Sequence, residues 1–195
     1  MGGSGTDAQL RYAVKTQVGA LCIALITAGA FVAIPLPGSP VPIVLQNMFV
    51  VFTGLVLPPF YALLTVSVYL LLGAVGLPVF AGGSGGLTHF VGPTGGFLLG
   101  FAPAAWLTAI LIRIGRDESA GANSASLPRQ IVSIIAGFLI VYLFGVPRLA
   151  QVARIPLVQA ALMGFVPFFP FDLLKAVVIV IIIKTLPASL WQSWR

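Results

Sequence analysis

Charged residues are scarce in this sequence, and half of the chain has none. Only 7% of the 195 residues are Asp, Glu, Lys or Arg, against about 25% in a soluble globular domain. None of these four types occurs between residues 16 and 112. A stretch of that length without charge cannot form a water-facing surface. The sequence therefore predicts an all-α polytopic membrane protein.

Residue types used for metal binding and covalent catalysis are also rare. The chain has one histidine, His89, and one cysteine, Cys22. A His/Cys metal site needs several such ligands, so we expect no metal and no other cofactor. The glycine run at residues 82–86 lacks the Lys-Ser/Thr of a phosphate-binding loop. The sequence therefore predicts no catalytic residue and no ATP hydrolysis by this chain.

Basic residues give the chain a net charge of +6, but they lie at the ends of apolar runs and do not suggest nucleic-acid binding. With six spans, seven of them fall on one side of the membrane and only Arg148 and Arg154 on the other. Basic residues favour the cytoplasmic side. We therefore expect a multi-pass protein of the cell membrane with both termini in the cytoplasm.

Apolar runs predict six membrane spans, at residues 18–34, 43–57, 60–77, 97–112, 131–146 and 176–186. The run at 155–165 is short and is predicted to be interfacial or re-entrant. Residues 1–9 are expected to form a disordered tail or an added linker. Residues 10–195 are expected to form one six-helix transmembrane substrate-binding domain.

Two irregular segments interrupt these runs. Four prolines between residues 35 and 42 exclude a helix there, and residues 78–96 contain many glycines. Such backbone between spans must be buried in protein, line a polar cavity or lie at the interface. We interpret the glycine segment as one wall of a ligand pocket, with a flexible loop as the alternative. Its candidate binding residues are Phe80, Gly82, Gly83, His89, Thr94 and Gly95.

Asp172 and Lys175 are the strongest candidates for ligand binding. They lie three positions apart at the start of the last span, so a helix places them on one face. Ionisable groups at membrane depth are costly and usually functional. The alternative is an ion pair that only orients the helix. Gln46 and Asn47, two amides near the start of an apolar run, and Phe169 complete the predicted site.

Small residues recur every four positions in the first span, at Ala20, Ala24 and Ala28. Such a stripe lets another helix approach closely. By spacing alone it fits packing inside the chain or contact with a partner.

Several blocks of this sequence resemble the BioY family, the biotin-binding S components of energy-coupling-factor (ECF) vitamin transporters. The blocks are VPIVLQNMFVVFTGLVL, YLLLGAVGLPVFAGGSGG, GPTGGFLLGF and PFDLLKA. The resemblance implies biotin capture from outside the cell. It also implies docking of the alanine stripe on a transmembrane coupling protein (T component), which works with two ATPase subunits.

The resemblance also assigns roles within the predicted site. Asp172 suits the N–H groups of the biotin ureido ring, and Lys175 suits its carbonyl group or a carboxylate. Gln46, Asn47 and Thr94 supply neutral hydrogen bonds. The apolar ring suits the cluster of Phe80, Phe168, Phe169 and Phe171. Backbone N–H groups of the glycine loop suit the carboxylate. Which end of biotin each group takes stays open.

Three other readings stay open beside the S component. One is a solitary biotin transporter that works without ATPase partners, with self-association through the alanine stripe. Another is an intramembrane enzyme that uses Asp172 and His89. The last is a structural membrane protein without a ligand.

Overall fold

The computed structural model describes residues 3–116 and 121–186. These ranges contain eight α-helices, one 3-10 helix and one short antiparallel hairpin, in which Ala33 lies opposite Val44. The elements in chain order are α1 (Gly3–Phe31), β1 (Ala33–Ile34), β2 (Ile43–Val44), α2 (Gln46–Val56), α3 (Pro59–Ala74), α4 (Thr88–Val91), α5 (Gly95–Arg113), the 3-10 helix (Ala122–Ser124), α6 (Leu127–Ala153), α7 (Leu157–Gly164) and α8 (Phe169–Thr185). The predicted all-α class is confirmed.

Not every predicted span is long enough to cross a membrane by itself. Within the described residues, three helices are long and apolar enough, namely Tyr12–Phe31 of α1, α5 and α6. A fourth results if α7 and α8, bent by 48° at their junction, count as one span. Helix α2 has 11 residues, or about 16 Å, against a hydrocarbon core of about 30 Å. The count of six spans stays a prediction.

The predicted limits of the first two spans were wrong at the proline segment. Helix α1 ends at Phe31, and Ala33–Ile34 form strand β1, because a residue before proline is pushed towards extended backbone. Strand β2 takes Ile43–Val44, so α2 begins only at Gln46. At the other end of the chain, α8 begins at Phe169 rather than at residue 176. Asp172 and Lys175 therefore lie inside the first two turns of α8.

The predicted disordered tail or linker at residues 1–9 is helical from Gly3 onward. A helix that has already formed extends by one hydrogen bond for each residue added, without a new nucleation cost. The division into one domain from residue 10 stays a prediction.

Helix α5 lies at the centre of the fold and packs against α2, α3 and α6. Glycines permit the closest of these contacts. A Cβ atom on Gly54 of α2 would lie 2.3 Å from the carbonyl oxygen of Ala105, and one on Gly96 of α5 would lie 2.3 Å from that of Phe144. A side chain at either position would push two helices apart.

A buried arginine of α5 forms hydrogen bonds with the C-terminal end of α2. The Arg113 guanidinium donates to the carbonyl oxygens of Gly54 at 3.1 Å, Leu55 at 3.3 Å and Val56 at 3.3 Å. These carbonyls belong to the last turn of α2, which has no helical partner for them. The clamp fixes the position of α2 along α5, and hence the position of Gln46 and Asn47 at its other end.

Candidate functional site

Four polar side chains from three helices form one buried network. The Asp172 Oδ1 atom accepts hydrogen bonds from Lys175 Nζ at 2.8 Å and from Asn47 Nδ2 at 3.1 Å. Lys175 Nζ also donates to Asn47 Oδ1 at 2.9 Å. The Tyr142 hydroxyl donates to the Asp172 Oδ2 atom. Asp172 is 2% exposed and Lys175 5%, so the two opposite charges compensate each other away from water.

Local sequence explains why these groups meet. The i, i+3 spacing of Asp172 and Lys175 places both on the inward face of α8. Asn47 lies in the first turn of α2, which contacts α8. Tyr142 lies in the middle of α6. The predicted pairing of Asp172 with Lys175 is present, and Asn47 belongs to the same group.

Two neighbouring cavities lie beside this network. The first, called here the network lobe, is lined by Asn47, Tyr142, Phe168 and Lys175. The second, called here the loop lobe, is lined by Gln46, Phe80, His89 and Thr94. They contain about 370 and 380 Å³ of empty space, part of it open to solvent. The lobes share an apolar wall made of Val41, Pro42, Val44, Phe97 and Phe101.

The glycine segment closes one side of the loop lobe through Phe80 rather than through its glycines. The Phe80 ring contacts Tyr69, His89 and Phe90 edge-on, at centroid distances of 5.9, 5.7 and 5.6 Å. Gln46 supports the same wall, because its amide bonds the Tyr69 hydroxyl, which donates to the Val79 carbonyl oxygen at 2.7 Å.

The N–H groups of the three predicted glycines bond to backbone carbonyl oxygens of the protein in this structure. The Gly82 N–H donates to the Ala30 carbonyl oxygen, the Gly83 N–H to that of Phe80 and the Gly95 N–H to that of Gly92. None of these three glycines lines either lobe. Gly95 packs against the Phe90 backbone.

Of the phenylalanines predicted near the start of α8, Phe168 lines the network lobe and Phe169 does not. Phe168 is 6% exposed, whereas the Phe169 ring lies against the Phe165 ring, tilted by 40° at a centroid distance of 5.3 Å. Neighbouring residues of a helix point about 100° apart, so a shift of one position changes the face.

Sequence reasoning also missed Tyr142 and the shared apolar wall. Tyr142 was visible as a hydroxyl inside an apolar span, which needs a buried partner. Phe97 and Phe101 carry no such signal, because apolar residues in a span are ordinary.

The alanine stripe lies on the exposed face of α1. Ala20, Ala24 and Ala28 are exposed, while Cys22, Ile26 and Ala30 on the other face are buried. The stripe is therefore not an internal packing surface within the described part of the chain.

The chain matches a known protein family over almost its whole length. Residues 7–192 match the family model described as the BioY family. The chain belongs to the BioY family. The probable biotin transporter BioY of Pyrococcus horikoshii is 36% identical over 177 residues, covering 91% of this chain and 98% of that protein. The biotin transporter BioY of Thermotoga maritima is 42% identical over 159 residues, covering 82% and 87%.

The fold agrees with a solved structure as well. The crystal structure of the S-component for biotin from an ECF-type ABC transporter aligns with a TM-score of 0.78 at 30% identity. The alignment covers 87% of this chain and 88% of that one. The resemblance to the BioY family seen in the sequence is confirmed.

Proposed function

We propose that this chain captures biotin as the S component of an ECF transporter. The observation that carries the proposal is the buried network of Asp172, Lys175 and Asn47 beside the network lobe. It offers charged and neutral hydrogen bonds next to an apolar wall, and the relatives of this chain are named biotin transporters.

The chemistry of the ureido ring suits the network lobe. This ring presents two N–H donors and one carbonyl acceptor. Lys175 has three donors, of which two are used within the chain, so one remains for the carbonyl. Asn47 Oδ1 accepts one recorded bond and has a second lone pair for an N–H. Phe168, Phe97 and Phe101 offer apolar surface to the sulfur-containing ring.

The tail of biotin then extends towards the loop lobe. Its methylene groups suit the shared wall of Phe97 and Phe101, and its polar end reaches the region of Thr94 and His89. A ureido group in the network lobe and a tail in the loop lobe account for both cavities with one ligand.

Uptake requires partners in this proposal. The exposed stripe of Ala20, Ala24 and Ala28 docks on a T component, and two ATPase subunits supply the energy. Both termini lie in the cytoplasm and the lobes open outward, in the cell membrane. No catalytic residue, metal or cofactor is proposed.

Calorimetry on the purified full chain tests the ligand. We expect saturable binding of biotin and no heat with thiamine or riboflavin at the same concentrations. The proposal would be refuted by a chain that shows a cooperative thermal unfolding transition, and is therefore folded, but does not bind biotin.

Purification from native membranes tests the partners. We expect the tagged chain to retain two ATPase subunits and a T component. Active uptake by the chain alone in vesicles would favour the solitary transporter, in which the exposed stripe mediates self-association.

A further inference from the structure

A cationic side chain contacts the segment between two residues of the loop lobe, and it forms no ion pair among the residues that the structure describes. Arg148, inside α6, donates from Nη2 to the carbonyl oxygen of Val91 at 2.6 Å. Its Nε atom is buried and has no hydrogen-bond partner within the described residues. Val91 ends α4, between His89 and Thr94, which both line the loop lobe.

Within residues 3–116 and 121–186, no ion pair balances the charge of Arg148. Among the side chains that the structure describes, the one carboxylate is Asp172, which forms its ion pair with Lys175. An arginine with a buried, unused donor and no paired carboxylate among the described residues is suited to an anion.

Arg148 lies further along α6 than Tyr142, at the level of the first turn of α5. Arg148 follows Tyr142 on α6 by six positions, or about 9 Å along the helix axis. A Cβ atom on Gly96 would lie 2.4 Å from the Arg148 Cβ atom, so the arginine side chain starts beside the first turn of α5. Thr94, which lines the loop lobe, immediately precedes that turn.

We propose that Arg148 binds the tail carboxylate of biotin at the rim of the loop lobe. This inference rests on the proposed function and adds a specificity determinant to it. The guanidinium already holds the loop at Val91, and its remaining donors fit a carboxylate in a fork. The site would then require an acid at the end of the tail, in addition to the ureido ring.

Calorimetry with biotin and biotin methyl ester on full-length variants tests the proposal. For the parent we expect biotin to bind about ten-fold tighter than its ester, the size expected for one charged hydrogen bond. Arg148→Gln should lose about ten-fold for biotin and little for the ester, so that the preference disappears. Arg148→Lys should keep part of the preference, because it keeps the charge but not the fork.

Arg154 provides the matched control. It is exposed, ends α6 with a φ of 54° and lies six positions from Arg148. Arg154→Gln should leave both affinities and their ratio unchanged. Thermal unfolding of each variant confirms that the measured protein is folded.

Three results would overturn the assignment. An equal affinity of the parent for acid and ester would show that the carboxylate is not recognised. Equal weakening of both ligands by Arg148→Gln would show that Arg148 acts only through Val91. If Arg148→Gln still prefers biotin over its methyl ester, the carboxylate binds elsewhere, and a lipid phosphate is the anion that suits Arg148. A parent that binds neither ligand would instead refute the proposed function.

Discussion

Removing the charge of Asp172 is the most direct test of the network. Asp172→Asn keeps the size of the side chain and one acceptor oxygen. It removes the counter-charge of Lys175, which is 5% exposed and 2.8 Å away. Asp172 accepts hydrogen bonds from three side chains, so the substitution disturbs bonds to α2 and α6 as well as the ion pair on α8.

The size of the effect follows from those contacts. A hydrogen bond to a charged group contributes about 1.5–3 kcal/mol, and a stranded partner of a buried ion pair costs about 3–5 kcal/mol. Part of this cost of about 3–5 kcal/mol lowers the free energy of unfolding of the protein without ligand. The lost contact between Asp172 and biotin lowers the affinity. We expect the free energy of unfolding to fall by about 3 kcal/mol and biotin affinity to fall about ten- to a hundred-fold. Lys175→Ala should weaken binding by a similar factor.

A double variant separates binding from stability. Asp172→Asn combined with Lys175→Met leaves no unpaired charge, and removal of a whole buried ion pair is often neutral for folding. We therefore expect most of the thermal stability to return while biotin affinity stays low. Lys184→Ala is the control, since Lys184 lies on the same helix but is exposed.

Calorimetry and thermal unfolding on the same preparations decide the matter. Recovery of affinity together with stability would mean that the pair only orients α8. Single variants that fold and bind biotin like the parent would mean that the ligand does not contact this network.

Three further predictions concern the other parts of the site. Ala24→Trp on the exposed stripe should abolish biotin uptake and co-purification of the ATPase subunits, while the isolated chain keeps the parent's affinity; loss of affinity would argue against a docking surface. Amide hydrogen exchange in residues 78–96 should slow at saturating biotin, and unchanged protection would remove this segment from the site. Phe168→Ala should weaken binding about ten-fold through lost apolar contact, whereas Phe169→Ala should change affinity little; the opposite ranking, measured by calorimetry, would contradict the assignment of faces.

Local sequence features were sufficient to predict the class of protein and to single out the residues at the centre of the candidate site. The absence of charge over residues 16–112 permits only a membrane setting. Asp172 and Lys175 stood out because charge at membrane depth is costly. Asn47 stood out for the same reason, as an amide in an apolar run, and the structure places it in the same network.

Features that depend on helix rotation or on distant contacts could not be predicted in this way. The choice between Phe168 and Phe169 depends on where α8 begins, and that start lies upstream of the predicted one. Tyr142 reaches Asp172 across 30 positions of the chain. The spacing of Ala20, Ala24 and Ala28 could not say which face of α1 is buried, since both faces of this helix are apolar.

Gly83 has a consequence for any genetic screen of this protein. Its φ is 71°, and a Cβ atom there would lie 2.8 Å from the ring of Phe31, the last residue of α1. The neighbouring Gly82 N–H is bonded to Ala30 on the same helix. A substitution at Gly83 would therefore strain the loop and push aside the Phe31 ring at the end of the helix that carries the alanine stripe. In a screen for lost uptake alone, such a mutant would be scored together with docking mutants, although its residue belongs to the segment beside the loop lobe.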